Sequence, residues 1–241
     1  DTTDDINAST VSATHYMNLS AVLVARDNLK QSVADMLGLR LGLEDFMADD
    51  GTTLDTTNVY VVGHSLGAIS AVPFTEIANA SVDASFNVAA LSIHSPGGGI
   101  APLLIESVSF GTLIQGSVLS AAGSSLAEEF NTFLATPDAT CAGETPATEG
   151  YLICQYTAFI GQLTVNSETA KLAELTATIE AFTFAAQTVI DSGDPNNFAA
   201  RIVTAATPVH MTEIVGDGIN NLPDQTIPNQ SSTLPFVGTE P

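Results

Sequence analysis

The pentapeptide Gly63-His64-Ser65-Leu66-Gly67 is where residue type and spacing point most directly to covalent chemistry. A β-branched and aromatic run, "VYVVG" (59–63), precedes it, and an apolar stretch of helical character follows it. A serine on a tight turn between a strand and a helix presents its hydroxyl at the carboxyl end of a sheet. The helix N-terminus then faces the oxyanion that develops when the hydroxyl attacks a carbonyl, and the N–H of Leu66 becomes one oxyanion donor. Gly63 and Gly67 are expected because side chains at those positions would collide with the flanking strand and helix.

Such a serine needs an acid and a base. Where this turn occurs, the chain order is serine, then a carboxylate just past a later strand, then histidine. After the apolar run "VHMTEIV" (209–215), the segment "GDGINNLPDQTIPN" offers Asp217 and Asp224. "DQTIP" resembles the D-x-x-V-P turn that often carries the acid in α/β-hydrolases, which favours Asp224, with Asp217 the alternative. The same oxygen-rich stretch also reads as a calcium loop through Asp217, Asn220 and Asp224, although its spacing is not that of an EF-hand. The histidines are His15, His64, His94 and His210, and none follows Asp224. His64 lies inside the turn with its side chain expected to point away from the hydroxyl. His210 opens the third strand at its amino end and reads as structural. His15 precedes the first helix. His94, at a strand's carboxyl end, is the remaining internal candidate for the base. The histidine this chemistry expects is therefore not among the 241 residues.

The elements that must position these groups follow from periodicity. From about Tyr16 to Phe46, Leu19, Val22, Leu23, Leu29, Val33, Met36, Leu37 and Leu41 recur at three- and four-residue steps, as on a helix with one apolar stripe that Gly38 and Gly42 interrupt or bend. "VYVVG" and "NVAALSIH" (87–94) read as buried strands, and 209–215 as a third. Leu66 to about Asn79 reads as a helix that Pro73 should kink. Strand, helix and strand in this order imply an α/β fold with a mostly parallel sheet. More than a hundred residues separate the second and third strands, and they carry helical patterns at about 124–135, 151–164 and 167–190. Ser167 is the expected N-cap of the last. Asp194 with Pro195 starts one more helix. The expected organisation is a sheet domain from 1–99 and 206–241, with a helical lid or cap inserted at 100–205.

Composition removes several function classes. Five Lys and Arg stand against 27 Asp and Glu, a net charge of −22, which excludes nucleic acid as a partner and disfavours anionic lipid headgroups. Acidity of this degree fits a salty or extracellular setting. No run approaches the ~18 apolar residues of a membrane span. Cys141 and Cys154 lack metal-ligand spacing and are expected to pair as a disulfide in an exported protein. No metal or cofactor is called for. The apolar run "PLLIESVSFGTLIQGSVL" (102–119) is a candidate acyl-pocket lining, or simply packs the lid.

"YMNLSAVLVARDNLKQSVADMLGLRLGL", "VYVVGHSLGAISAVPF" and "QTVIDSGDPNNFA" together resemble the Pla-1/cef family of extracellular bacterial lipases. "ARDNLKQS" and "DSGDPNN" are the distinguishing stretches, and the similarity spans most of residues 15–230. The resemblance implies an α/β-hydrolase with a helical lid and hydrolysis of lipid esters, as by a lipase or lysophospholipase. It implies export to the outside or outer surface of a Gram-negative cell. Ser65 matches the family's nucleophile and Asp224 its expected acid, while no position matches its histidine or second oxyanion donor. Family members are longer at both ends, so the expected sheet is incomplete on both flanks and the expected partners include further segments of the same polypeptide. The rival expectations are an acyltransferase or peptidase of the same fold, and a catalytically inactive binding or scaffold domain.

Overall fold

The computed structural model describes residues 16–136, 138–231, 234 and 237–239. His15 and the polar segment 1–14 lie outside the described residues. The protein is mixed α/β, built round a parallel three-stranded sheet in the order β1-β2-β3: β1 (Tyr60–His64), β2 (Ala90–His94) and β3 (Val209–Thr212). The helices are α1 (Val22–Gly42), α2 (Leu66–Ala80), α3 (Ile100–Glu106), α4 (Gly111–Ala121), α5 (Ser125–Ala135), α6 (Glu149–Val165), α7 (Thr169–Ile190) and α8 (Asn196–Thr204). Two compact units form. One comprises the residues up to Leu103 with those from Gln187 onward, and the other runs from Leu104 to Ala186. These limits differ from the expected 100 and 205, because α8 packs on the sheet unit through Ile202 and Phe198.

In the sheet unit, α2 and α8 cover one face. Leu91 and Ile93 of β2 are buried with Ala68, Ala71, Val72 and Ile202, and Val61 packs against the same group. Each buried Leu, Ile or Val side chain among these contributes ~1.5–3 kcal/mol. Along a strand the alternate residues face the other way, and there the expected burial fails. Tyr60, Val62 and His64 of β1 are exposed, so β1 is a half-covered outer strand rather than a buried one. The apolar content of "VYVVG" exceeds what the helices of the described residues cover.

Helix α1 buries Ala25, Leu29 and Val33, a line at four-residue steps, and then Arg40. Leu23 and Leu41, expected in the stripe, are exposed. Arg40 takes the place of an apolar residue by bonding outward: its Nε donates to the Asn87 carbonyl (3.1 Å) and its guanidinium to Glu44 (2.6 Å). Helix α1 runs through Gly38 and ends at Gly42. Helix α2 runs through Pro73, its eighth residue, which is fully buried; the missing N–H leaves the Ile69 carbonyl without its usual helical donor.

The second unit has its own core. Leu119, Leu126, Phe130, Tyr156, Phe159, Leu163 and Leu175 form it, so the end of the apolar run 102–119 is used in packing that unit. Ser124 and Thr148 cap α5 and α6, each accepting from a backbone N–H three residues on (3.2 Å). Ser167 is not the N-cap expected. It has φ 57°, its N–H donates to the Thr164 carbonyl and the next N–H, of Glu168, donates to Leu163 (2.9 Å). That is the left-handed close of α6, so the serine ends one helix instead of starting the next.

Cys141 and Cys154 are joined by a disulfide across 13 residues of sequence. A loop of this length restrains the unfolded chain by about 3 kcal/mol. Replacing both cysteines by serine is expected to destabilise the 104–186 unit by ~2–4 kcal/mol. Denaturant unfolding of the variant, beside wild type with and without reductant, checks this; a variant that unfolds at the wild-type midpoint contradicts it.

Candidate active site

Ser65 has φ 52° and ψ −122°, a backbone conformation that residues with a side chain rarely adopt. Holding such a residue costs on the order of 1–3 kcal/mol and marks places where surrounding structure imposes the geometry. Here the imposition is visible. The Ser65 N–H donates to the His94 carbonyl (2.9 Å), which continues the β1–β2 ladder by one residue. The Ser65 carbonyl accepts from Ala68 and Ile69 (2.8 and 3.0 Å), which starts α2 at once. One residue is thus both the end of a strand and the start of a helix, and no ordinary φ/ψ pair accomplishes that turn. The Leu66 N–H, in the first turn of α2, has no acceptor among the described residues.

The two glycines are not equivalent. A Cβ on Gly63 would sit 2.7–2.9 Å from the Gly67 carbonyl oxygen and the Ala68 backbone. Gly63 is therefore required by the close passage of strand past helix. A Cβ on Gly67 meets nothing within 4 Å, so the expected collision there is absent among the described residues. Gly63→Ala is expected to destabilise the protein by about 1–3 kcal/mol, since backbone must move to admit the methyl. Gly67→Ala, read by the same thermal melts, should fall within about 0.5 kcal/mol of wild type. Equal losses at the two positions would contradict the geometry.

Because the strands are parallel, the chain leaves β1, β2 and β3 at the same sheet edge, and this is where α/β sheets place their ligand-binding groups. Ser65 follows β1, and Asp217 and Asp224 follow β3. The two carboxylates do different work. Asp217 is exposed, and its Oδ1 accepts the N–H groups of Ile219, Asn220 and Asn221 (2.8–2.9 Å), while Oδ2 accepts from the Asn221 side chain (2.7 Å). These donors, the Asn221 N–H foremost, hold its carboxyl far below the usual carboxylate range. The depressed folded-state pKa means this stabilisation is complete above the ordinary carboxylate pKa. It is lost only as pH falls through the depressed value. Asp217 is a loop organiser, with both oxygens engaged.

Asp224 is half-buried. Its Oδ1 accepts from the Thr226 and Ile227 N–H groups (2.8 and 3.0 Å), and no described residue hydrogen-bonds Oδ2. One oxygen fixes the carboxylate and the other remains free to accept an N–H, the arrangement an acid needs to orient a histidine. Asp217 uses both carboxylate oxygens, and Asp224 one of its two, on their own turns, which leaves the calcium reading of Asp217, Asn220 and Asp224 a single open carboxylate oxygen among the described residues. Among the described residues no group of three or more His, Cys, Asp and Glu is placed to hold a metal ion.

His94 is not poised to take the Ser65 proton. Its Nδ1 hydrogen-bonds the Thr212 hydroxyl (2.6 Å) and its Nε2 the Ser92 hydroxyl (3.2 Å). His210 Nδ1 bonds the same Ser92 hydroxyl (3.1 Å), so a band of Ser92, His94, His210 and Thr212 crosses the sheet face opposite α2. His64 is exposed and lies in register with His94.

No family model, curated protein or solved structure matches the chain. The site therefore rests on its own geometry. A residue that the motif undervalues organises the same sheet unit. Asp194, expected only as a helix cap, is fully buried. Its Oδ1 accepts from the Asn196 N–H (3.0 Å), and its Oδ2 accepts from the Ile100 N–H (2.8 Å) and the Gln187 amide (2.9 Å). It thereby ties the segment after β2 to the start of α8. Its position in "DSGDPNN" signalled the cap; the Ile100 partner, 94 residues away in sequence, had no local signal.

Proposed function

We propose that this chain carries the nucleophile and acid of a serine ester hydrolase of the α/β-hydrolase type, acting on lipid esters. The observation that carries the reading is Ser65, a non-glycine residue at φ 52° between strand and helix. Asp224, with one oxygen anchored and one open at the same sheet edge, supports it. In this reading the Ser65 hydroxyl attacks the ester carbonyl, and a histidine oriented by Asp224 Oδ2 takes the serine proton and delivers it to the departing alcohol. Water, deprotonated by the same histidine, then releases the acyl group from Ser65. The Leu66 N–H is one donor to the oxyanion at each step. The chemistry uses protein groups and water alone.

Both ring nitrogens of His94 are engaged with hydroxyls, so in this reading the base is a histidine other than His94. The Cys141–Cys154 disulfide and the net charge of −22 favour an extracellular or cell-surface setting. The test is hydrolysis of short- and long-chain p-nitrophenyl esters by the protein at its natural gene ends, with Ser65→Ala alongside. Activity lost in the variant supports the esterase, and preference for long chains supports a lipid substrate. Transfer to an added alcohol exceeding hydrolysis would make it an acyltransferase. A folded protein no more active than the variant leaves the binding-domain reading.

A further inference from the structure

The loop between β3 and Asp224 displays apolar side chains to solvent. Ile214, Val215, Ile219 and Leu222 are 51%, 60%, 86% and 70% exposed, four aliphatic residues within nine positions. The loop that carries them is closed and preorganised. The Asp224 N–H donates to the Ile214 carbonyl (2.9 Å), the Asp217 N–H donates to the Asn221 carbonyl (3.1 Å), and the Asp217 carboxylate gathers the tip. Gly216, at φ 70°, admits no side chain, because a Cβ would lie 2.7–2.8 Å from the backbone of residues 221–223. A loop that spends this many hydrogen bonds on holding Ile219 and Leu222 outward loses little conformational entropy when they are buried.

We propose that this loop is an interfacial anchor whose Ile219 and Leu222 enter the surface of an uncharged or zwitterionic lipid aggregate, beside the candidate acid. The choice of lipid rests on the esterase reading above. Three further observations narrow the occupant. The exposed aliphatic area is on the order of a few hundred Å², short of the ~600–800 Å² that each partner of a stable protein–protein interface buries. No Lys or Arg follows Arg201, so the loop has no cation with which to hold an anionic headgroup. The anchor is also continuous with the candidate site, since the same loop ends at Asp224.

The test uses the 241-residue chain carrying Ser65→Ala, so that vesicles are not consumed. Flotation with phosphatidylcholine vesicles should carry the protein upward. The double variant Ile219→Asp, Leu222→Asp should lower the partition coefficient by roughly tenfold or more. Ile219→Leu should retain binding. The chain contains no Trp, so Ile219→Trp places a single reporter at the tip, whose emission should shift to the blue on addition of vesicles. Circular dichroism and thermal melts establish that each variant is folded; if the aspartate pair is not, Ile219→Ser with Leu222→Ser takes its place. The proposal is overturned by an absence of flotation with phosphatidylcholine, by stronger flotation with phosphatidylglycerol vesicles, by an unchanged partition of the polar variants, or by an unshifted reporter. Self-association in sedimentation that the polar variants abolish would make a second copy the occupant and overturn it likewise. Vesicle binding by a protein without esterase activity removes the esterase reading and leaves the anchor. Esterase activity without vesicle binding does the reverse.

Discussion

Ser65→Ala is expected to lower kcat for ester hydrolysis by about 10⁴–10⁶-fold, leaving the residual rate over water that oxyanion donors and substrate binding supply. The magnitude follows from removing the atom that forms the acyl-enzyme. Oxyanion donors and substrate contacts then have only solvent water to act on. KM for a short ester should change little, because the hydroxyl adds almost nothing to ground-state binding. Alanine also has a Cβ, so the strain at φ 52° persists and the melting temperature should stay close to that of wild type. Ser65→Gly separates the two properties. Glycine occupies positive φ without penalty, so this variant should be equally inactive yet more stable by about 1 kcal/mol. Hydrolysis that survives in both variants would remove Ser65 from the chemistry. A Ser65→Gly protein less stable than Ser65→Ala would show that the backbone at 65 is not strained.

The parts of this fold that were legible in the sequence are those decided by neighbours in the chain. The elbow at Ser65 could be read because strand, turn and helix occupy adjacent residues, and the backbone conformation follows from forcing all three together. Helices α5 and α6 could be read from the helical patterning at about 124–135 and 151–164, which the structure places at Ser125–Ala135 and Glu149–Val165. The Cys141–Cys154 pairing needed only the count of two cysteines.

What could not be read depends on tertiary neighbours. Arg40 ends the buried line of α1 because the Asn87 carbonyl, 47 residues on, accepts from it. Periodicity had placed Leu41 in that stripe, and it is exposed. Residues of β1 read as buried because apolar content says how much a segment can bury, not what is present to cover it; Val62 is 72% exposed. Motif reading assigned the same steric role to Gly63 and Gly67, but only the first faces backbone. The candidate acids were ambiguous for a related reason. Asp217 and Asp224 sit in similar turn sequences, and only the count of donors on each oxygen separates a saturated carboxylate from one with an oxygen to spare.

Asp194→Ala is expected to be the most destabilising single change in the sheet unit, at about 3–5 kcal/mol. The wild-type carboxylate is fully buried and is solvated by three donors, the N–H groups of Asn196 and Ile100 and the Gln187 amide. Alanine removes all three acceptor contacts together. Each stranded buried donor costs ~1–3 kcal/mol. Gln187 offsets part of this because its amide also reaches Asp191 (3.3 Å), whereas the two backbone N–H groups cannot turn away. Asp194→Asn discriminates between the charge and the acceptors. Its carbonyl oxygen keeps the donors on one side, but its NH₂ group faces N–H donors on the other, so it should recover less than half of the loss. Denaturant unfolding measures both variants, with a lower midpoint and an unchanged m-value expected for each. Amide exchange at Ile100 should accelerate in parallel, since that N–H has the carboxylate as its acceptor. If the alanine variant loses less than about 1 kcal/mol, the carboxylate is not what joins the segment after β2 to α8. The burial of residues 95–100, which follow His94, then needs a different explanation.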